Sequence, residues 1–187
     1  MKPTKESSRK AVLNTPPIIV LTRLNLLEEA IKLFDEVEIP RGVLKELERR
    51  KDDVYEKVLR LINENKVKLE DIEHVFPRLG LGESSTIILA LKHNKITVLD
   101  DRKARRLARE LGLEVIGSLA ILRRLIDKGV IKENPELLYI KLVEIGFYID
   151  HKTYNKIFRK QDQNQQKSPP NKQYPTKTQP ASARRVV

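Results

Sequence analysis

The fold is decided by the stretch KITVLDDRKARRLARELGLEVIGSLAILRRLIDKG, residues 95–129. It alternates a short apolar run, an amphipathic run that ends at Gly112, a second short apolar run and a second amphipathic run. Short apolar runs bounded by turn residues predict buried strands, and apolar residues with helical spacing predict helices. The stretch therefore predicts a strand, a helix, a strand and a helix in succession.

The same alternation continues on both sides of this stretch. Three further strands are predicted upstream, at 11–14, 36–40 and 67–69. Further helices are predicted at 24–34, 41–50, 52–65, 80–94, 133–146 and 151–159. Strands that alternate with helices of this length indicate βαβ units. We therefore expect an α/β fold with a central, mainly parallel sheet and helices on both faces.

Composition excludes several classes of protein. The 187 residues contain no cysteine, which excludes disulfides, thiolate catalysis and iron–sulfur clusters. No apolar run is long enough for a membrane span, and the first ten residues, MKPTKESSRK, lack the apolar region of a signal peptide. We therefore expect a cytoplasmic protein without a membrane partner. A charged fraction of 34%, with one Met and no Trp, is typical of heat-adapted proteins, and predicts a thermophile.

The positive charge is confined to the two ends of the chain. Residues 1–10 hold four Lys or Arg against one Glu, residues 151–187 hold nine against one Asp, and residues 11–150 hold 24 of each sign. We predict a basic arm at 1–10, a folded domain at 11–160 and a basic, low-complexity tail at 161–187. Basic arms indicate a polyanion as partner, although they would also serve solubility alone. The candidate RNA-binding residues are Lys2, Lys5, Arg9, Lys10, Lys152, Lys156, Arg159, Lys160, Lys167, Lys172, Lys177, Arg184 and Arg185.

Residues with metal-binding side chains follow the predicted strands. Asn14 ends the first strand, Asp100 and Asp101 follow the strand at 96–99, and Glu46 and Glu83 lie in helices that follow strands or turns. Because the carboxyl ends of parallel strands share one edge of the sheet, these side chains are expected to converge. Clustered carboxylates take up a proton or a cation, and Mg²⁺ or Mn²⁺ prefers oxygen ligands. Each acid also has an ordinary alternative, because Asp100, Asp101 or Glu83 would cap a helix and Glu46 would be a solvated charge.

Four stretches resemble the PIN domain family, within the branch related to VapC-type toxins. They lie at residues 12–50, 79–94, 98–131 and 146–158, and the resemblance covers roughly residues 11–160. It implies a PIN-like fold and a metal-dependent nuclease that acts mostly on RNA. It also implies that Glu46, Glu83, Asp100 and the adjacent Asp101 are catalytic and metal-binding residues. The first acid of the family is replaced by Asn14, which brings no charge.

Two functions are compatible with these residues. The first is an RNA-binding protein on a PIN nuclease scaffold with a degenerate active site, whose basic arms anchor it to structured RNA. Ribosomal RNA is the preferred target, by analogy with ribosomal proteins that carry cationic extensions on a neutral body. Tyr154, Phe158 and Tyr174 lie among basic residues and would stack on bases, although packing on the domain is the preferred interpretation for Phe158.

The second function is a Mg²⁺-dependent endoribonuclease of the VapC toxin type. It would require an antitoxin protein as partner, and a homodimer is possible in either case. Basic residues of the helix after Asp101 would hold the RNA backbone, or form a solvated helix face: Arg102, Lys103, Arg105, Arg106 and Arg109. No catalytic triad is predicted, and the remaining polar candidates are interpreted as surface or capping residues: His74, His93, His151, Ser84 and Ser85.

Overall fold

The computed structural model describes residues 9–158. Within that range five strands form one sheet, and every pair of neighbouring strands is parallel. The strands are β1 (Lys10–Leu13), β2 (Glu36–Pro40), β3 (Lys68–Glu70), β4 (Ile96–Val98) and β5 (Val115–Ile116), in the spatial order β3-β2-β1-β4-β5. The predicted α/β class and the parallel sheet are confirmed.

Helices connect the strands and complete the chain after β5. They are α1 (Thr15–Arg23), α2 (Leu27–Ile31), α3 (Arg41–Glu48), α4 (Asp53–Asn63), α5 (Leu81–His93), α6 (Arg102–Glu110), α7 (Ser118–Asp127), α8 (Pro135–Glu144) and α9 (His151–Phe158). Most match the predicted helices with shorter ends. The cap predicted at the start of α8 is present, since the side chain of Asn134 accepts the N–H of Leu137 at 2.9 Å.

The first helical region differs from the prediction. The sequence predicts one helix at 24–34, whereas the structure has α1 at Thr15–Arg23 and only a short α2. Residues 15–23 combine two prolines with a β-branched run, which hides a helix from periodicity alone. Proline is nevertheless tolerated in the first turn of a helix. Burial of Ile18 and Leu21, at 1% and 0% exposure, supplies the stability that local propensity does not.

The sheet is buried on both faces, as a parallel sheet requires. On β1, Ala11 and Leu13 belong to one apolar cluster, and Val12, between them, belongs to another that it shares with residues of α5 and α6. This alternation places helices on both sides of the central strand. None of the helices between residues 9 and 158 has the length and apolarity that crossing a bilayer demands.

The amino edge of the sheet carries a charge network that is partly buried. The side chain of Lys95, in a residue that is 6% exposed, contacts Glu36 at 2.5 Å and also contacts Glu38. The Nδ1 atom of His93 lies 2.9 Å from a carboxylate oxygen of Glu38. His93 is therefore a partly exposed member of this network, a role that its prediction as a surface or capping residue did not include. Such networks are typical of heat-adapted proteins, but the habitat stays a prediction.

The carboxyl edge of the sheet brings together the ends of β1 and β4. These strands are neighbours, with Leu13 paired to Val98, and the N–H of Asn14 donates to the carbonyl of Val98 at 3.2 Å. Asn14 and Asp100 therefore leave the sheet side by side. The predicted arms, beyond Arg9 and Lys10, lie outside the described residues.

Candidate active site

Asn14 occupies the position at which the first acid was expected. It is completely buried and precedes α1, yet its side chain makes no capping hydrogen bond. Neither its Oδ1 nor its Nδ2 has a hydrogen-bond partner among residues 9–158. A buried amide without hydrogen-bond partners lowers the free energy of unfolding by roughly 1–3 kcal/mol, as mutations in proteins indicate. Asn14 therefore places a neutral polar group where it lowers stability.

Glu46, on α3, reaches toward Asn14 and is held there by protein donors. Its Oε2 accepts the hydroxyl of Thr15 at 2.5 Å, and its Oε1 accepts the N–H of Gly82 at 2.7 Å. A Cβ at Gly82 would overlap the Glu46 carboxylate and would lie 2.9 Å from Oδ1 of Asn14. Only glycine therefore leaves room for the two side chains above the first turn of α5.

Glu83 lies in that first turn and joins the same group. Its carboxylate folds back over Gly80, where a Cβ would overlap it and would lie 3.5 Å from Oε1 of Glu46. Asn14, Glu46 and Glu83 thus converge around the glycines that open α5. The negative charge of Glu83 in a first turn is also favourable to the helix dipole.

Asp100 lies at the end of the neighbouring strand and is bound by Ser118. The N–H and the hydroxyl of Ser118 donate to Oδ1 and Oδ2 of Asp100 at 2.8 and 2.6 Å. The guanidinium of Arg105 approaches from α6, so that a Cβ at Gly117 would lie 2.5 Å from Arg105 Nη1 and 2.9 Å from Asp100 Oδ1. Burial raises the pKa of Asp100 above its ordinary value, against the opposing effects of Ser118 and Arg105.

Asp101 serves as the N-cap of α6. Its side chain accepts the N–H of Ala104 at 2.8 Å, and the residue is exposed. The two adjacent aspartates therefore have different environments, because one caps the helix and the other points to Ser118. The capping alternative holds for Asp101 and not for Asp100.

These donors do not fit the Mg²⁺ or Mn²⁺ site that the resemblance implies. Within residues 9–158 no three or more acidic, histidine or cysteine side chains are grouped so that they could hold a metal ion. The first ligand position carries the neutral Asn14, and both Glu46 and Asp100 use both oxygens on protein hydrogen bonds. Mg²⁺ takes an octahedral set of oxygen ligands, usually one or two carboxylates together with several waters.

A cleft of about 540 Å³ opens beside Asp100. Three cationic side chains of α6, Arg102, Arg105 and Arg109, line one wall, and the loop before α9 lines the other. Burial, followed by the charge of Arg109, lowers the pKa of Arg105. The acids that line the cleft are Asp100 and Asp150, and Asp150 accepts the N–H of Thr153 at 2.8 Å as a helix cap. The cleft therefore has an excess of positive charge beside the acidic group.

The opposite wall of the cleft exposes a large aromatic ring. Tyr148 is 97% exposed and lies between Phe147 and Ile149, which also line the cleft. Its ring is thus available to a flat ligand that enters beside the arginines. Tyr148 was not among the aromatic residues predicted to contact RNA.

The stacking role predicted for Tyr154 is wrong, whereas the packing of Phe158 on the domain is confirmed. Both residues are buried, at 1% and 2% exposure, and their rings stack on each other at 4.4 Å. The hydroxyl of Tyr154 donates to the carbonyl of Pro135 at 2.7 Å. These rings attach α9 to the domain because helical spacing places them on its inner face. Tyr174 lies outside the described residues.

Ser84 and Ser85 are likewise not surface or capping residues. Both are fully buried, and their hydroxyls accept the N–H groups of Phe76 and His74 at 2.9 Å. They fix the loop before α5 against the helix. His74 and His151 are exposed, as predicted.

Four of the thirteen predicted RNA-binding cations are described by the structure. Arg9, Lys10, Lys152 and Lys156 are all exposed, and Lys10 lies 3.5 Å from Glu36. The other nine lie outside the described residues: Lys2, Lys5, Arg159, Lys160, Lys167, Lys172, Lys177, Arg184 and Arg185. RNA contact by all thirteen stays a prediction.

Thr15 and Ser118 are site residues that the sequence reasoning missed. Thr15 directly follows Asn14, and Ser118 follows β5 as the first residue of α7. Both therefore obey the rule that identified the acids, namely that polar residues just beyond parallel strands meet at one edge. The predicted site residues were carboxylates and one amide, so these two hydroxyl residues were not among them.

Comparisons with known proteins agree with this architecture. A family model described as a PIN domain matches residues 10–163. One similar solved structure is a PilT N-terminus domain protein, SSO1118, from the archaeon Sulfolobus solfataricus P2, with 18% identity, a TM-score of 0.43, and coverage of 60% of this chain and 90% of that one. Another is a domain of a functionally unknown protein from Methanocaldococcus jannaschii, with 21% identity, a TM-score of 0.44, and coverage of 59% and 91%. No curated protein matches. Because the family model spans most of the chain, this protein belongs to the PIN domain family.

Proposed function

We propose that this protein binds RNA through its arginine-lined cleft and its basic arms, and that its acidic group does not support cleavage. PIN domains form a nuclease-like family and generally use Mg²⁺ or Mn²⁺. On this proposal the RNA lies near the carboxyl edge of the sheet, where ligands of parallel α/β folds bind. In this chain the residues at that edge are grouped as in a nuclease site, but the neutral Asn14 replaces a negative charge.

The observation that carries the proposal is the environment of Asn14. A carboxylate at this position would give the group a third negative charge beside Glu46 and Glu83. The amide gives none, and its two polar atoms are buried without partners among the described residues. Loss of a direct metal ligand costs at least as much as the roughly 10–100-fold that loss of an outer contact costs.

The cleft supports RNA as the ligand. Arg102, Arg105 and Arg109 follow one another at the spacing that puts side chains on one helix face, and they line the cleft together. Guanidinium groups bind phosphate oxygens in pairs of hydrogen bonds. The exposed ring of Tyr148 faces the same space, and unpaired bases stack on such rings. The arrangement therefore favours a single-stranded segment or loop over a regular duplex.

We further propose that the bound RNA is ribosomal, because the excess positive charge lies at the two ends of the chain. Contacts of Lys and Arg with phosphates are independent of sequence and weaken as salt rises. A variant that lacks residues 161–187 should sediment with ribosomes less than the full chain does at moderate salt. Unchanged sedimentation would contradict binding through the tail.

Cleavage is tested with the native protein and an Asn14→Asp variant. Each is incubated with structured RNA and Mn²⁺, and the products are separated on a denaturing gel. We expect no cleavage by the native protein, and cleavage by the variant if the added carboxylate restores the site. Cleavage by the native protein would instead support the alternative, a Mg²⁺-dependent endoribonuclease of the VapC toxin type with an antitoxin partner.

Binding is tested with two exposed arginines of the same helix. Arg109 lines the cleft, whereas Arg106 does not and pairs with Glu110 at 2.8 Å. Arg109→Met should weaken binding to a single-stranded RNA about tenfold and reduce the salt dependence by about one phosphate contact. Arg106→Met removes the same charge and should leave affinity within about twofold. Equal losses in both variants would show that net charge, not the cleft, determines affinity.

A further inference from the structure

A second basic cavity lies at the amino edge of the sheet, opposite the candidate active site. It has a volume of about 660 Å³ and lies between Arg9, just before β1, the end of α2, and the end of α7. Four cations line it, Arg9, Lys32, Arg124 and Lys128, together with two acids. Because β1 and β2 are parallel and their amino ends lie at this edge, the cavity is separate from Asn14 and Asp100.

Arg124 is the distinctive member of this cavity. Its Nη1 is buried and has no hydrogen-bond partner among residues 9–158. Burial, followed by the nearby charge of Arg9, lowers the pKa of Arg124, and Glu114 opposes this. A buried guanidinium nitrogen without an acceptor is unfavourable. Because Nη1 is closed off from solvent, other atoms of the Arg124 side chain line the cavity and add its positive charge there.

The two acids of the cavity are already engaged. Asp35 Oδ2 accepts the backbone N–H of Arg9 at 2.6 Å, and the N–H of Asp35 donates back to the carbonyl of Arg9 at 2.8 Å. Asp127 Oδ1 accepts Arg123 Nη2 at 2.6 Å. These bonds hold Arg9 in place through its backbone and leave its guanidinium free to bind a ligand.

The two lysines of the cavity add to its positive charge. Lys32 pairs with Glu29 at 2.6 Å on the exposed side of α2. Lys128 is exposed and makes no ion pair with any other residue in the described part of the chain. Arg9 and Arg124 likewise have no ion-pair partner within that part. The cavity thus offers three cations that no acid neutralises directly.

We propose that this cavity binds a phosphate group, which Arg9, Arg124 and Lys128 hold from three sides. Guanidinium groups match the geometry of phosphate oxygens, and an ammonium adds charge without fixed geometry. The cavity is larger than a single phosphate, so a phosphate within a longer molecule fits it. We assign that molecule as the bound RNA, whose backbone supplies the phosphate, and this RNA assignment rests on the proposed function. The phosphate assignment itself does not depend on it.

Phosphate binding is tested by titrating the full-length protein with inorganic phosphate at constant ionic strength. Arginine side-chain NMR signals report binding, and the native protein should show a saturable site that includes Arg124. Arg124→Met and Lys128→Ala should each weaken binding about tenfold. Arg106→Met should have no effect. Lys128 is exposed, so its variant keeps the test informative even if Arg124→Met unfolds. No saturable shift in the native protein, or equal affinity in Lys128→Ala, would overturn the proposal.

The source of the phosphate is tested with the same variants and RNA. If the cavity holds the RNA backbone, Lys128→Ala should weaken RNA binding and reduce its salt dependence by about one contact. If phosphate binding is lost while RNA affinity is unchanged, the RNA assignment is wrong and a free phosphate or nucleotide is the ligand. Arg109→Met tests the cleft separately, since it should leave phosphate binding in this cavity intact. These variants therefore distinguish a loss of RNA binding in the cleft from a loss of phosphate binding in the cavity.

Discussion

Replacement of Asn14 by leucine should stabilise the protein. The two side chains have similar shapes, and leucine removes two buried polar atoms that have no partner among the described residues. Each such atom costs about 1–2 kcal/mol, or about 2–4 kcal/mol together. The larger methyl groups of leucine crowd Gly82, which reduces this stabilisation by about 1 kcal/mol. The expected net stabilisation is about 2 kcal/mol.

Urea and thermal unfolding measure this change. A gain of about 2 kcal/mol should raise the melting temperature by about 4–8 °C and move the urea midpoint without changing the slope. Asn63→Leu, at the exposed end of α4, is the matched control and should change stability by less than about 0.5 kcal/mol. If Asn14→Leu instead lowers stability by about 1 kcal/mol or more, the amide has hydrogen-bond partners in solution. The inference that the buried Asn14 amide lacks hydrogen-bond partners would then be refuted.

Three further changes test the neighbouring geometry. Gly82→Ala places a Cβ onto the carboxylate of Glu46 and should destabilise the fold by about 1–3 kcal/mol in urea unfolding; an unchanged midpoint would contradict the close approach. Asp101→Ala removes the cap bond to Ala104 and should cost about 1 kcal/mol by the same measurement, with no loss if the cap is absent in solution. The folded state raises the pKa of Asp100, so it binds a proton more readily than the unfolded chain does, and stability should fall as pH rises from the ordinary value of 3.8 through the raised pKa. Asp100→Asn should flatten that dependence in urea midpoints measured from about pH 4 to about pH 7, and an identical slope would contradict the assignment.

The rule that polar residues just beyond parallel strands meet at one edge of the sheet predicted part of the candidate site. It correctly located Asn14 and Asp100 at neighbouring strand ends, because parallel order and an apolar run fix where a strand stops. It did not separate Asp100 from Asp101, since adjacent residues have the same local signals. The difference is visible only in three dimensions, where Asp101 caps α6 and Asp100 is bound by Ser118.

The same limit applies to the aromatic residues. Tyr154 and Phe158 lie among lysines in the sequence, which indicates a surface, yet both are buried. Tyr148 has no sequence signal and is almost fully exposed. Burial of a single side chain depends on which helix packs against it, and the sequence near that residue does not contain this information.

The resemblance to the PIN family identified Asn14 in place of the first acid. By itself the sequence determined the alternation of strands and helices, the parallel sheet, and the confinement of excess charge to the two ends. These are properties of local pattern and count, which periodicity and composition record directly. Only the tertiary structure decided which oxygens are free, which arginines share a cleft, and where a buried guanidinium lacks an acceptor. Those features depend on packing between elements that are distant in the sequence, as in the hydrogen bonds of Asp100 with Ser118, 18 positions away, and of Glu46 with Gly82, 36 positions away.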